Sequence, residues 1–507
     1  MNHEASRNSY DAVVVGGGIG GLTTGAFLAK AGKQVLVVEK ADRPGGYARE
    51  FQHGPYKINP ALHLIMGCGD SSQSAHGVIE TALSQLGVQG QCQFIKVDPF
   101  YRALFPNFQI DVPPGRDAFL HAHGQAFPEE ANALAELMDL CHQIYQEFVR
   151  FPIVPRWRDW ALMPVRFPKI FRYANTSLAS VLNDFFSSSR IKSVYATMWS
   201  YVGLPPSRVS FPMWSVMISS YIDEGPFYCQ GGFQNLADAI ADSLQKQGGE
   251  LLTGVEVIKI LAASSNVKGV KLETGQVIEA PLVISNIDAR KTFKDLLEPG
   301  LISTRFIKTL GKLESSICLF NLHLATDLDV HQLGIPKVTM ITDWDFDKAY
   351  IDALEGKVSA LAVHVPTVVD ASLAPPAEHI VILQGLNPIG AKKLSDSDRT
   401  QFAEALLVQA EKILPGLREH ITFIDNNDGG FQRYPLHRLG PIYGWAALPR
   451  QSGARRLPNK TPLKGLSLAG HWTQPGHGIW SVVLSGINTA RLVLGNDPSG
   501  SMWPFGL

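Results

Sequence analysis

The residues with the clearest capacity for chemistry are small ones near the start of the chain. They form the run Gly16-Gly17-Gly18-Ile19-Gly20-Gly21, directly after the apolar residues 12–15. At a strand-to-helix turn, Gly16 permits the tight turn, Gly18 lets backbone approach a pyrophosphate, and Gly21 lets the helix pack closely on the strand. The N–H groups at the start of that helix favour an anion. The spacing therefore predicts a dinucleotide-binding site.

The elements around these glycines follow the order that such a site requires. Residues 12–15 predict a buried strand, residues 22–30 a helix, and residues 34–38 a second strand that ends at Glu39. A carboxylate about twenty residues beyond the glycines can accept hydrogen bonds from ribose hydroxyl groups, whereas it disfavours a 2′-phosphate. We therefore expect an α/β fold of the Rossmann type that binds FAD or NAD rather than NADP.

Composition limits the class of protein. The 507 residues are 45% hydrophobic and 18% charged, with a formal net charge of −1, which predicts two or three soluble domains and gives no reason to expect nucleic-acid binding. The five cysteines lack metal-binding spacing, so we expect no metal site and a reduced, cytoplasmic protein. We expect no secretory signal and no membrane-spanning segment, so that any membrane contact is peripheral.

Three further segments carry a resemblance to a known family. They are the pair Gly45-Gly46 after Glu39, the segment Tyr228-Cys229-Gln230-Gly231-Gly232 before a predicted helix, and Thr473-Gln474-Pro475-Gly476-His477-Gly478-Ile479 before the last predicted helix. In this order they resemble the FAD-dependent branch that includes amine oxidases, bacterial-type phytoene desaturases, carotenoid isomerases and retinol saturases. The resemblance covers most of the chain and implies FAD as the cofactor.

The resemblance also implies which further residues contact FAD. In relatives, the second glycine pair lies against the flavin end, a predicted strand over 254–258 borders the adenine, and the final helix begins at the flavin ring. A helix N-terminus there would stabilise the negative charge of the reduced flavin. The residues implied are Lys40, Gly45, Gly46, Tyr47, Val257, Gly470, His471, Gly478 and Ile479.

Two departures from the family pattern keep the reaction type open. His471 stands where many relatives carry an aspartate for the ribityl chain, and Asn59-Pro60 replaces an Asp-x-Gly pattern near the flavin. His63, in contrast, fits the retinol-saturase version of that segment. Desaturation, saturation and cis–trans isomerisation of a hydrophobic polyene or isoprenoid-like substrate all remain open.

The order of the segments predicts a discontinuous domain organisation. FAD-binding parts span residues 8–100, 226–299 and 456–497. A mainly helical lid or membrane-facing subdomain spans 101–225, and a mixed-sheet substrate domain spans 300–455.

Residues 155–172, the aromatic-basic segment, interleave aromatic and basic side chains with one acid. This composition suits a membrane interface that contains anionic lipid, and it equally suits a solvated lid or the route by which substrate enters. Its prolines exclude one long helix.

Few side chains are needed for the chemistry, because the flavin itself accepts or donates hydride at N5. The candidates for moving one proton or orienting a polar group are His63, Tyr228, His437 and His477. The sequence contains no second nicotinamide-binding fingerprint, so we expect oxygen, a quinone or a redox protein as the electron partner.

Two alternatives share the expected fold. The first is a flavin amine oxidase, although the facing aromatic pair of that group would have to come from Tyr443 and Trp472. The second is a flavin-free prenyl- or lipid-binding protein similar to Rab escort and dissociation-inhibitor proteins. The retained glycines and Glu39 argue against the second.

Overall fold

The computed structural model describes residues 4–69, 77–152, 154–263, 265–387, 396–425 and 441–495. His437 lies outside these residues. The strands in chain order are β1 (Ala12–Val15), β2 (Val35–Glu39), β3 (Phe51–His53), β4 (Tyr56–Ile58), β5 (Phe94–Lys96), β6 (Tyr101–Phe105), β7 (Phe108–Val112), β8 (Phe227–Cys229), β9 (Glu250–Thr253), β10 (Val257–Ala263), β11 (Asn266–Leu272), β12 (Val277–Glu279), β13 (Leu282–Ser285), β14 (Cys318–Thr326), β15 (Val338–Ile341), β16 (Leu361–His364), β17 (His379–Asn387), β18 (Ile421–Asp425) and β19 (Leu466–Leu468).

The α-helices in chain order are α1 (Ile19–Lys30), α2 (Val78–Leu86), α3 (Arg116–Ala126), α4 (Ala131–Arg150), α5 (Trp157–Ala161), α6 (Met163–Arg166), α7 (Pro168–Tyr173), α8 (Leu178–Phe185), α9 (Ser189–Tyr195), α10 (Phe211–Ser219), α11 (Gln234–Lys246), α12 (Ala289–Lys294), α13 (Thr304–Gly311), α14 (Phe346–Leu354), α15 (Asp396–Ala410) and α16 (Ile479–Val493). None of the helices in the described ranges is both long and apolar enough to cross a bilayer.

A five-stranded parallel sheet carries the glycine-rich turn. Its order is β19-β13-β1-β2-β9, and Val13 pairs with Val283 on one side and Leu36 on the other. β1 and residues 35–38 of β2 are apolar because both faces of the sheet are covered. Helices α1, α11 and α16 pack together on one face, and the antiparallel sheet β10-β11-β12 lies over the other. This packing fixes the carboxyl ends of β1, β2 and β13 at one edge.

A seven-stranded mixed sheet of order β18-β14-β17-β16-β15-β6-β7 forms the second unit. One face forms an apolar core with α15, in which Phe320, Val363 and Leu383 are fully buried. Strands β14 to β18, which fall in the region 300–455 predicted to contain a mixed sheet, all lie in this sheet.

Two details differ from the sequence-based expectations, and a third agrees with them. Strands β6 and β7 belong to the mixed sheet, since β6 pairs with β15, although the predicted boundaries place them in the helical subdomain. The strand predicted over 254–258 is wrong, because the chain turns at Gly254, whose φ is +75°, and β10 begins only at Val257. The aromatic-basic segment forms three short helices, α5 to α7, as its prolines require.

Candidate functional site

A cavity of about 490 Å³ lies at the carboxyl edge of the parallel sheet. It receives backbone from the turn after β1, from the residues after β2 and β13, and from the start of α16. The predicted cofactor residues that line it are Gly16, Gly18, Ile19, Gly20, Glu39, Lys40, Gly45, Gly46, Tyr47, Gly470, His471, Gly478 and Ile479. Sequence reasoning missed Asn286, Ile287 and Asp288 after β13, which also line the cavity.

The start of α1 forms a cradle without side chains. Gly18 is the N-cap, no side chain caps the helix, and its first turn contains no acid. A Cβ atom on Gly18 would lie 2.8 Å from Nδ2 of Asn286, and one on Gly21 would lie 2.2 Å from the carbonyl oxygen of Gly16. Gly21 thus serves helix–strand packing, whereas Gly18 leaves backbone N–H groups open toward the cavity. This arrangement suits a phosphate group.

Glu39 ends β2 at the wall of this cavity and is buried. Its Oε2 accepts a hydrogen bond from the Gly17 N–H at 2.7 Å, and Oε1 accepts one from the Ala41 N–H at 2.9 Å. Burial raises the pKa of this carboxyl, and the two backbone N–H groups oppose that change. Because each oxygen keeps a second lone pair, the group can still accept hydrogen bonds from a ribose.

The opposite end of the cavity, the α16 end, is formed by the start of α16 and by two segments with aromatic side chains, residues 443–445 and 471–473. Gly478 is the N-cap of α16, whose first turn also contains no acid. Tyr443, His471 and Trp472 line this end. Burial, and then the positive charge of Arg456, lower the pKa of His471 to about 3, so its imidazole is neutral at pH 7. It can hydrogen-bond a ribityl hydroxyl, but it supplies no charge.

Val257 lies apart from the lining residues. It packs into the core beneath the parallel sheet, and the preceding Glu256 lines the cavity instead. The Glu256 Oε1 atom lies 2.5 Å from Nζ of Lys291 and 3.7 Å from Nζ of Lys40. Contact between Val257 and an adenine stays a prediction.

Two predicted catalytic residues, His63 and Tyr228, both contact Lys337, which sequence reasoning missed. Lys337 is buried, donates a hydrogen bond from Nζ to the carbonyl oxygen of His63, and lies 4.8 Å from the centre of the Tyr228 ring. His63 Nε2 lies 3.0 Å from Nε2 of Gln384 and therefore accepts its hydrogen bond. Leu62, the neighbour of His63, lines the cofactor cavity.

His63 belongs to a buried imidazole–lysine cluster that consists of His63, His323, His364 and Lys337. The His63 and His364 rings stack with centres 3.7 Å apart. Burial, followed by the nearby His364, Lys337 and His323, holds the pKa of His63 well below its usual range. Burial alone lowers the pKa of His323 to about 3 and that of Lys337 to about 7. In the part of the chain that the structure describes, no carboxylate forms an ion pair with Lys337.

Strand register explains this cluster. On β17, Ile382 pairs with His323 of β14 on one side and with His364 of β16 on the other, so all three side chains share one face of the mixed sheet. That face meets the FAD-domain segment around His63, while the opposite face holds the apolar core. His63 lies 274 residues before Lys337 in the sequence, so no local spacing predicts their contact.

His477 lies elsewhere, with its ring 4.6 Å from that of Tyr443 at the α16 end of the cofactor cavity. Burial, then Arg456, lower the pKa of His477 to about 3. The structure thus brings His63 and Tyr228 together and places His477 apart from them. The roles of all four predicted residues, including His437, stay predictions.

A second cavity, of about 350 Å³, is mainly apolar. Its walls come from α4, α10 and the aromatic-basic segment, with Phe148, Met213 and Trp160 among the lining side chains. Met213 also reaches the predicted flavin segment, since its Cε lies 3.3 Å from where a Cβ on Gly476 would be. The apolar cavity therefore reaches residue 476, two residues before the Gly478 N-cap of α16 that lines the cofactor cavity.

Comparison with known proteins identifies the family. Residues 19–494 match the family described as flavin containing amine oxidoreductase. The chain belongs to this family. It is 26% identical to an all-trans-retinol 13,14-reductase of Danio rerio over 92% of this chain and 83% of that protein. It is 25% identical to prolycopene isomerase 1 of an Oncidium hybrid cultivar over 96% of this chain and 84% of that protein.

Solved structures share the fold of this flavin-containing oxidoreductase. An oxidoreductase from Methanosarcina mazei matches with a TM-score of 0.64 at 19% identity, covering 94% of this chain and 98% of that one. Putrescine oxidase bound to putrescine matches with a TM-score of 0.66 at 14% identity, covering 96% and 99%. Family membership makes the chain an FAD-dependent oxidoreductase. The flavin-free alternative is wrong.

The residues of the cofactor cavity fit FAD. A side-chain-free helix start lies at one end for a pyrophosphate, Glu39 lies beside it for a ribose, and a second helix start lies at the other end for the flavin ring. Tyr443 and Trp472 both line the cavity; Tyr443 packs on His477, and Trp472 packs edge-on against Trp445. The two curated relatives reported above are named as a retinol reductase and a prolycopene isomerase, so the amine-oxidase alternative has less support.

Proposed function

We propose that this oxidoreductase acts on carbon–carbon bonds of an apolar, unsaturated substrate of the polyene or isoprenoid class. The observation that carries the proposal is the 350 Å³ apolar cavity, which lies close to the start of α16, where we place the flavin ring. A polyene needs apolar walls and accurate positioning more than it needs ionised groups. The names of the retinol reductase and the prolycopene isomerase support the same class, and desaturation, saturation and isomerisation stay open.

The residues of this chain would bind and orient the reactants. The start of α1 would hold the pyrophosphate, Glu39 the ribose, and His471 the ribityl chain. Bound FAD would supply the hydride donor or acceptor. Gly476 and Gly478 would leave room at the start of α16 for the flavin ring, and Met213 would form the wall between that ring and the apolar cavity. The electron partner would be oxygen, a quinone or a redox protein.

The aromatic-basic segment supports peripheral contact with an anionic membrane. Trp157 and Val165 are 73% and 78% exposed, so large apolar side chains face solvent. The single acid, Asp159, is buried, where its carboxylate accepts hydrogen bonds from the Arg156 N–H and the Arg166 guanidinium. The exposed surface of the segment is therefore cationic and apolar together, as interfacial segments are. Substrate from a bilayer would then enter the apolar cavity directly.

The experiment uses purified protein reconstituted with FAD. Reduced and oxidised enzyme are mixed anaerobically with retinoid and carotenoid polyenes, and products are separated by chromatography with absorbance detection. We expect a bleached, extended or isomerised polyene. The variant Ala454→Trp places an indole in the apolar cavity and should raise KM at least tenfold, whereas Ala263→Trp, at an exposed position of β10, should not. Turnover of amines with no change in any polyene would overturn the proposal.

Membrane contact is tested separately by sedimentation with vesicles of phosphatidylcholine containing phosphatidylserine. Trp157→Ser together with Val165→Ser should reduce binding, and added salt should weaken it. The control Ile351→Ser changes an exposed side chain of α14 and should leave binding unchanged. Equal binding of all variants would contradict the membrane assignment and would leave the substrate proposal intact.

A further inference from the structure

A buried arginine links the 443–445 and 471–473 segments at the α16 end of the cofactor cavity. Arg456 is 1% exposed. Its Nε donates to the Thr473 carbonyl at 2.9 Å, Nη1 to the Trp445 carbonyl at 3.1 Å, and Nη2 to the Tyr443 and His471 carbonyls at 3.3 and 2.7 Å. Two of these acceptors, Tyr443 and His471, line the cavity.

The charge of Arg456 has no anionic partner in the described residues, where only carbonyl oxygens accept its hydrogen bonds. Burial lowers its pKa to about 10, so the guanidinium remains charged at pH 7. The charge reaches the cavity wall, because it contributes to the lowered pKa of both His471 and His477. A buried charge acts more strongly than an exposed one, since water screens it less. Burying a cation without an anionic partner costs free energy of folding. The buried cation Arg456 lies at the place where the flavin ring is proposed to lie.

We infer that Arg456 is a positioning residue whose charge stabilises the negative charge that FAD gains on two-electron reduction. It holds the 443–445 and 471–473 segments in place and adds a full positive charge to the partial charge at the start of α16. The enzyme would then favour an anionic reduced cofactor and have a raised reduction potential. This inference rests on the proposed placement of the flavin ring, and it is independent of the identity of the substrate.

The first test uses wild-type enzyme with bound FAD. Its reduction potential is measured against reference dyes from pH 6 to pH 8. Reduction to an anion takes up one proton per two electrons, so the equilibrium constant should change tenfold per pH unit, or about 30 mV. A hundredfold change per pH unit, about 59 mV, would mean that a neutral reduced form is made, and it would overturn the inference.

The second test separates charge from hydrogen bonding. Arg456→Met should lower the equilibrium constant for reduction at least tenfold, about 30 mV, whereas Arg456→Lys keeps the charge and should stay within threefold of wild type. Both variants lose hydrogen bonds, so both should have a lower Tm. Arg418→Met, which removes a surface arginine paired with Glu404 and Glu411, serves as the control.

The outcomes distinguish the roles. A lower Tm for both variants with an unchanged potential would show that Arg456 is only structural. If Arg456→Met fails to bind FAD, the pH dependence of the wild-type potential and the potential of Arg456→Lys still decide the question. The reduction potentials of the wild type and of the variants can be measured with bound FAD alone. Failure to find a polyene substrate would therefore not affect this test.

Discussion

Lys337 provides a sharp test of the buried imidazole–lysine cluster. Its ammonium lies between the carbonyl of His63 and the ring of Tyr228, is 2% exposed, and has no carboxylate partner in the described residues. Burial lowers its pKa from 10.5 to about 7. The perturbation is Lys337→Met, which keeps a long flexible side chain in the same space and removes the titrating group.

The sign and size of the effect follow from proton binding. Between about pH 7 and 10.5, the unfolded chain holds a proton on Lys337 that the folded chain has released, so wild-type stability rises with pH in this window. Each pH unit is worth about 1.4 kcal/mol, and from pH 7.5 to 9.5 the wild type should gain about 2.7 kcal/mol over Lys337→Met. Below pH 7 Lys337 holds its proton in both the folded and the unfolded chain, so it adds no further slope.

The assay is urea unfolding followed by tryptophan fluorescence, with saturating FAD at each pH. The slope of the difference between the two proteins is diagnostic, because Lys337→Met also loses the hydrogen bond to His63 and its absolute stability shifts. Between pH 7.5 and 9.5 other titrating groups cancel in this difference, because His63 and His364, whose pKa values Lys337 also lowers, are neutral in both proteins. Lys268→Met, at an exposed position of β11, is the control and should follow the wild type. A wild-type curve parallel to that of Lys337→Met across pH 7.5–9.5 would refute the reasoning.

Two further predictions concern the cofactor cradle and the stacked histidines. Gly18→Ala places a methyl group 2.8 Å from Asn286 Nδ2, where backbone should approach a phosphate, and we expect FAD to bind at least tenfold more weakly by fluorescence titration, with an unchanged circular dichroism spectrum. Gly90→Ala, which has open space around it, should bind normally. Burial lowers the pKa of both His63 and His364, so the wild-type Tm should fall as pH drops below about 6.5. His364→Phe keeps a stacked ring and should reduce that fall; an identical Tm profile would contradict this account.

The parts of the fold that follow from sequence are those fixed by neighbours in the chain. The apolar run, the glycines, the helix and Glu39 lie within 28 residues, and each step of that unit has a local physical reason. Gly476 and Gly478 similarly predict the start of α16. These segments line the cavity that was expected of them.

The remaining features depend on long-range pairing, which local patterns do not encode. β6 and β7 form a plain hairpin in sequence, and only the pairing of β6 with β15, more than 200 residues later, assigns them to the mixed sheet. His323 and His364 share a face because both pair with Ile382. Arg456 is one of two adjacent arginines in a polar stretch, and nothing in its spacing reveals that it is buried.

The charges around the proposed reaction site argue for a limited role of proton transfer by histidine. A general acid or base works best with a pKa near the operating pH, whereas burial holds the pKa of His63 well below its usual range and that of His477 at about 3. At neutral pH both rings are uncharged and can orient groups by hydrogen bonding. The charged groups are instead Arg456, at the α16 end of the cofactor cavity, and in part Lys337, in the separate cluster around His63; neither has a carboxylate partner in the described residues. Cations favour electron-rich states, and hydride chemistry on an apolar carbon chain needs such electrostatic support more than it needs a general base.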